Sequence, residues 1–297
     1  MFKKILALLL VSFVCNAVVS AHFGKPKYHV IIDTDGAIDD MRAISMFLAQ
    51  NDTRVLAINC SQGTLAPDSI FVKVHHLLAA LQHEGIPVGL DNNLDKDLPP
   101  WAAYTQKIKW ASEERESSTS PKIRSTELIS SVLKDCPEKI TLVALGSLKT
   151  YAELVEQHPE YADKIERIVW YNNPYIDADF NESVSPESYA YFKQKDIPLD
   201  VVGNNTNRYN VDEAYLESIK NTSSKYAKQI VWVHQHPEIV SRMQAEHLQL
   251  WDDLVALYVA VPNLFRTEKA GGEVRYVTVQ NDLPDEVVNK AIANMLE

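Results

Sequence analysis

The feature that most constrains this chain is the stretch at residues 28–44, YHVIIDTDGAIDDMRAI. It opens on a short run, His29, Val30, Ile31 and Ile32, whose β-branched residues have the character of a buried strand. Asp33, Asp35, Asp39 and Asp40 follow, four carboxylates within eight residues. Gly36 sits between the two pairs and permits a tight turn. From Asp39 onward, Ile44, Phe47 and Leu48 carry helical spacing. The acids therefore fall where a strand ends and a helix begins, the place where open α/β sheets bind ligands. Acids at a helix start also act as caps that complement the helix dipole. Capping accounts for Asp39 or Asp40 but not for Asp33 and Asp35 at the end of an apolar strand. Carboxylates this close repel one another unless a cation sits among them. An all-oxygen set suits a hard divalent ion, calcium or magnesium, better than zinc.

Downstream, strand and helix patterns alternate. Strands are predicted at residues 55–60, 86–90, 140–145, 165–171, 197–202 and 274–279. Helices are predicted at residues 69–82, 126–133, 151–158 and 252–261, through about Gln244 after the strand at 197–202, and at 285–296. This alternation implies an α/β fold with an open, mainly parallel sheet and helices on both faces. No repeat or low-complexity linker divides the chain, so residues 22–297 form one expected domain. Residues 91–121 are the least regular, with Pro99, Pro100, Trp101, Trp110 and a charged run at residues 113–115. Such a segment is either a solvated excursion or a lid with a Trp as its ligand contact.

Residues 1–21 have the form of an export leader. Lys3 and Lys4 precede an apolar run, and Val19 and Ala21 are small residues suited to cleavage after Ala21. The run is short for a membrane span, so no stable membrane insertion is expected after cleavage. The expected location is the bacterial periplasm or outside the cell. Losing the leader removes two lysines and no acid, taking the formal charge from −11 to −13. That balance argues against nucleic acid as a partner, because phosphate binding needs a basic surface. Cys60 and Cys136 then remain, enough for one disulfide and too few for a disulfide framework or a zinc site. A homo-oligomer is compatible with the chain and not determined by it.

The motif D-T-D-G-A-I-D-D resembles the DxDxxxDD signature of the nucleoside hydrolases, calcium-dependent N-ribohydrolases with a Rossmann-like α/β fold. Later segments match that family in the same order. Residues 140–150, ITLVALGSLKT, resemble its strand and Gly-containing turn, where a main-chain carbonyl joins the calcium shell. The matching position is Leu145. Residues 172–181, NNPYIDADFN, resemble its GNxxxxAEFN stretch, so Asn173, Asp179 and Asn181 match residues that bind ribose hydroxyls, with Asp179 one methylene shorter than the family's Glu. Amides and carboxylates suit a sugar diol because together they donate and accept. Asp252 matches an Asp that binds both calcium and sugar.

The resemblance implies a Ca2+ site of Asp35, Asp40, Asp252 and the Leu145 carbonyl, holding a water and the ribose diol together. Asp35 would be the general base, with Asp39, Asn181 and Asp252 on the 2′ and 3′ hydroxyls and Asp33 orienting the loop. Trp251 stands where many members carry a His that protonates the leaving base, and resembles the purine-preferring branch in which an indole stacks on the base. Gln62, or alternatively Ser61, stands where the family has an Asn. The implied substrate is a small-molecule ribonucleoside, with a purine base, cleaved at its N-glycosidic bond.

Two other readings fit parts of the chain. The run into Asp33 and Asp35 resembles the start of a haloacid-dehalogenase-type phosphatase, although no lysine and paired-Asp segment follows. The departures at Gln62, Asp179 and Trp251 are also compatible with a calcium-containing nucleoside- or sugar-binding domain without turnover.

Overall fold

The computed structural model describes residues 26–111, 121–176, 179–204, 209–281 and 283–297. The leader and the charged run at residues 113–115 lie outside the described residues. In chain order the elements are β1 (Tyr28–Thr34), α1 (Ile38–Ala49), β2 (Thr53–Cys60), α2 (Pro67–Ala80), β3 (Val88–Leu90), α3 (Ala102–Lys107), β4 (Ile123–Arg124), α4 (Ser125–Asp135), β5 (Ile140–Ala144) and α5 (Lys149–Gln157). They continue with β6 (Ile165–Tyr171), α6 (Phe180–Val184), α7 (Pro186–Phe192), β7 (Leu199–Val202), α8 (Glu213–Lys220), α9 (Lys225–Val233), α10 (Pro237–Gln244), α11 (Asp252–Ala260), β8 (Phe265–Gly271), β9 (Val274–Val279) and α12 (Asp285–Leu296).

The strands form one sheet in the order β4-β3-β2-β1-β5-β6-β7-β9-β8. All neighbours are parallel except β8, which runs antiparallel to β9. The chain builds outward from β1 through β4, then crosses over and builds the other way from β5. The order therefore reverses between β1 and β5, and the crevice beyond their carboxyl ends is the switch point where such sheets bind ligands.

Side chains of β1 alternate between two cores. Val30 and Ile32 join the cluster that includes α1, α2 and α11, while Ile31 joins the one that includes α4 and α5. Burial on both faces is what parallel strands require, and it explains why β1 reads as a continuous apolar run.

Most predicted elements are present within a few residues of their expected ends; the short strand β4 and the helices α6 and α7 are additional, and two further regions differ. The segment at 91–121 contains the helix α3, and its Trp110 is buried. The stretch after residue 262 contains an additional strand, β8. Its sequence, FRTEKAG, shows no alternation of polar and apolar residues, and most of it is exposed at the sheet edge. Its strand form comes from pairing with β9, through a turn at Gly271 and Gly272 with φ of +127° and +55°. Charged side chains on that edge discourage further pairing. Cys60 and Cys136 are both free thiols. Among the described residues, no helix is long and apolar enough to cross a membrane.

Candidate active site

The loop from β1 into α1 is organised around the Asp40 carboxylate. Its Oδ1 accepts from Thr34 Oγ1 at 2.5 Å, from the Asp35 N–H at 2.9 Å and from the Gly36 N–H at 3.3 Å. Asp40 thus ties the loop to the helix it opens. Gly36, at φ +84°, makes the turn, and a Cβ there would lie 2.8 Å from the Ile70 side chain.

Asp35 is pressed between two other glycines. A Cβ on Gly63 would lie 2.3 Å from Asp35 Oδ2, and one on Gly146 would lie 2.9 Å from Asp35 Cβ. Both chains approach this side chain closely because they lack side chains of their own. Asp33 lies behind the loop and does not line the cavity. Its Oδ1 accepts from Ser61 Oγ at 2.5 Å, and its main-chain carbonyl accepts from the Leu145 N–H at 2.9 Å.

Asp252 arrives from the other side, as the first residue of α11, which packs against α1. Asp39, Asp40 and Asp252 each present an oxygen within 4.8 Å of the others, a group able to hold a metal ion. The structure brings Asp39 into this group, where the sequence reading had put Asp35. Asp35 lines the same cavity beside them.

Burial first, and then neighbouring carboxylates, push Asp35 and Asp252 well above the ordinary carboxylate range. The same causes raise Asp39 to about 7, and burial raises Asp40. Acids in this state are mutually destabilising unless protonated or joined by a cation. Asp252 Oδ1 is buried without a hydrogen-bond partner. That orphaned oxygen and an all-oxygen donor set fit a hard divalent cation.

Leu145 lines the same cavity, and its carbonyl accepts from Asn181 Nδ2 at 2.8 Å. Asn181 Nδ2 also donates to the Tyr171 carbonyl at 3.0 Å, which fixes the amide with its oxygen as the remaining acceptor. Asp179 Oδ2 accepts from the Asn173 N–H at 2.7 Å. Asn173 Oδ1 in turn accepts from the Tyr175 N–H at 3.1 Å. Asn173, Asp179 and Asn181 all line the cavity.

Gln62 does not line it. Its Nε2 donates to the Lys96 carbonyl at 2.9 Å and its Oε1 accepts from the Leu94 N–H at 2.7 Å, so the amide is spent pinning the loop at 91–98. The alternative, Ser61, is engaged with Asp33.

The cavity encloses about 450 Å³, within the range of small-ligand sites. Its upper wall is aromatic. Trp251 donates from Nε1 to Gln249 Oε1 at 3.1 Å. Trp101 donates to Thr64 Oγ1 at 3.2 Å and meets Phe180 edge-on, ring centroids 4.9 Å apart. The sequence offered Trp101 as a lid contact without a location, and the fold sets it in the wall of the acid-lined cavity. Tyr104, Ile176 and Arg242 also line the cavity, with the Arg242 guanidinium 3.6 Å from the Tyr104 ring centre.

Sequence reading missed the Gly63 and Gly146 seat and a buried Arg42–Asp253 pair. Gly146 was visible only as an ordinary turn glycine, and nothing local marks Arg42. A larger open groove of about 870 Å³ lies at the opposite end of the strands. There Arg167 and Arg275 are held on the buried Asp200, so their charges are largely committed.

A mainly parallel sheet with a carboxylate group at its switch point places this chain among the α/β proteins whose ligand site lies at one end of the sheet. Comparison with known proteins gives the family: the sequence model of the inosine-uridine preferring nucleoside hydrolases matches residues 30–287, and the chain belongs to that family. It is 32% identical over 188 residues to a pyrimidine-specific ribonucleoside hydrolase, RihA, of Citrobacter koseri, and 31% identical over 186 residues to that of Salmonella arizonae. Each match covers 59% of this chain and 59% of the relative's length.

Among solved structures, the purine-preferring ribonucleoside hydrolase of Gardnerella vaginalis superposes with a TM-score of 0.74 at 16% identity, covering 90% of this chain and 99% of that one. The inosine-uridine preferring nucleoside hydrolase of Bacillus anthracis gives 0.74 at 17% identity, covering 91% and 99%. These likenesses establish the fold.

Proposed function

We propose that this protein hydrolyses the N-glycosidic bond of ribonucleosides, releasing the free base and ribose. The observation that carries this reading is the Asp39, Asp40 and Asp252 group beside the Leu145 carbonyl, in a chain of this family. In this reading the cation is Ca2+, held by Asp40, Asp252 and the Leu145 carbonyl, with Asp35 or Asp39 adding an oxygen. Bound calcium would supply positive charge that orders a water and the ribose diol and makes the water easier to deprotonate.

Asp35 is the general base. Its carboxylate takes a proton as the water oxygen bonds to C1′ and the C1′–N bond breaks, its electron pair leaving on the base. Asp39, Asp252 and Asn181 hold the 2′ and 3′ hydroxyls, while Asn173 and Asp179 bind the far side of the sugar. The surrounding carboxylates stabilise the positive charge that develops on the ribose. Trp251, with Trp101 in the same wall, favours a purine, because a larger ring system offers more stacking area. The opposite preference is favoured by the pyrimidine-specific relatives. Export through residues 1–21 belongs to the same proposal, while Gln62 has no place in it.

The test is base release from inosine, adenosine, guanosine, uridine and cytidine by purified residues 22–297, with calcium or with a chelator, alongside Asp35→Ala. Calcium-dependent release that Asp35→Ala abolishes is the expected result, and the order of rates decides the base. Nucleoside bound and recovered intact, with calcium present, would replace the hydrolase reading with a binding one.

A further inference from the structure

Arg42 and Asp253 are each one or two residues from an acid of the cluster, yet neither belongs to it. Arg42 lies on α1, two residues beyond Asp40, and Asp253 follows Asp252 on α11. Both side chains are buried, at 1% and 0% exposure. The guanidinium meets the carboxylate as a fork, Nε to Oδ1 at 2.8 Å and Nη2 to Oδ2 at 2.7 Å.

Nη2 also donates to the Gln249 carbonyl at 3.1 Å. Nη1 faces His234 Nε2 at 3.4 Å. His234 Nδ1 is 2.8 Å from the Ile230 carbonyl and must donate to it, which leaves Nε2 as the acceptor for Arg42. Burial, and then the Arg42 charge, hold His234 neutral, its pKa down to about 3. The network is thus closed around the guanidinium, which also reaches the cavity wall.

A buried ion pair is a weak source of stability. Desolvating two charges costs about as much as their attraction returns, and apolar replacements of similar volume are often neutral or stabilising. What a fork does supply is direction, because two parallel hydrogen bonds fix both the distance and the angle between the groups that carry them. Here those groups ride on the two helices that deliver Asp39 and Asp40 from one side and Asp252 from the other. The Gln249 carbonyl extends the same control to the wall, since the Gln249 side chain holds the Trp251 indole.

We infer that Arg42 and Asp253 form a positioning pair, which sets α1 against α11 so that Asp39, Asp40 and Asp252 converge on one cation and Trp251 is held over the site. This rests on the cation-site reading above and does not depend on which base is cleaved. Asp253 does not line the cavity, and the Arg42 guanidinium is committed to it by the fork.

The test compares the mature chain with Arg42→Lys and with the double variant R42M/D253L. Calcium affinity is measured by titration calorimetry, kcat and KM with the best nucleoside, and Tm with chelator. The double variant should fold, with a Tm close to that of the unaltered protein. Its calcium Kd should rise at least about tenfold and its kcat should fall by a similar factor, as expected when reacting groups shift slightly out of place. Arg42→Lys, which keeps the charge without the fork, should show the same losses in smaller measure.

Unchanged calcium affinity and kcat in the double variant would overturn the inference and leave the pair as core filling. If the double variant fails to fold, Arg42→Lys decides, and full affinity and turnover there would overturn it. An unaltered protein that binds no calcium would overturn the cation site, and with it this inference, which is a different outcome from a site that binds equally well without the pair.

Discussion

The floor and the upper wall of the cavity are built on opposite principles. On the floor, Asp35, Asp40 and Asp252 are each 2% exposed or less. They are held by backbone N–H groups, by glycines in close approach and by two helix starts packed on each other. In the upper wall, Trp101 and Ile176 are 37% and 45% exposed. Buried acids at one another's expense are costly to assemble, so their positions have to be over-determined by backbone. A surface that reads flat bases needs area and tolerance, and exposed aromatic side chains supply both. The floor should therefore govern turnover and the wall should govern which base is preferred.

The largest effect should come from removing Asp35, the proposed base on the floor. Asp35→Asn should lower kcat by roughly 10²–10⁴, the usual contribution of a positioned acid or base, with KM little changed. Steady-state rates with nucleoside check this, and a kcat within a factor of a few of the unaltered enzyme would remove Asp35 from the mechanism.

Gly63→Ala tests whether the seat of Asp35 matters as much as its carboxylate. The added Cβ would meet Oδ2 at 2.3 Å, so the acid must swing away. A loss on the order of 10² in kcat is expected from misplacement alone. Full activity with a normal Tm would show that the floor is more forgiving than its packing implies.

A smaller effect belongs to the wall. Trp101→Ala should weaken purine nucleoside binding by about 1–3 kcal/mol, the range for one stacked base, and appear mainly in KM. Equal loss for inosine and uridine would leave Trp101 without a part in selecting the base.

The smallest effect is on stability and concerns the floor alone. Asp39 is raised to about 7, and burial pushes Asp35 and Asp252 well above the ordinary carboxylate range. Acids that hold protons more tightly folded than unfolded add stability below about pH 4, and that stability is lost as pH rises through the folded values. With chelator present, Tm should therefore fall between pH 4 and 7, and calcium should restore most of the loss at pH 7 by binding the folded state. Melting curves at a few pH values check this, and a calcium effect as large at pH 4 as at pH 7 would contradict it.

Local chemistry determined a good deal. A β-branched run, a glycine turn and an acid-rich helix start can be read from residues 28–44 because backbone sterics and side-chain periodicity act over a few residues. The alternation of later segments determined an α/β sheet in the same way, and the 172–181 stretch showed a set of amides and carboxylates through residue type.

Tertiary structure decided who meets whom. It drew Asp39 into the group with Asp40 and Asp252, spent Gln62 on the 91–98 loop, set Trp101 into the wall beside the acids, and closed Arg42 on Asp253. It also made a strand of residues 265–271, whose own sequence has no strand pattern. Apart from that strand, which depends on its neighbour β9, each of these depends on elements well apart in the chain, as in the packing of α1 on α11, which brings residue 40 to residue 252. Such distances are set by how buried faces fit together, a property of the whole core rather than of any local stretch.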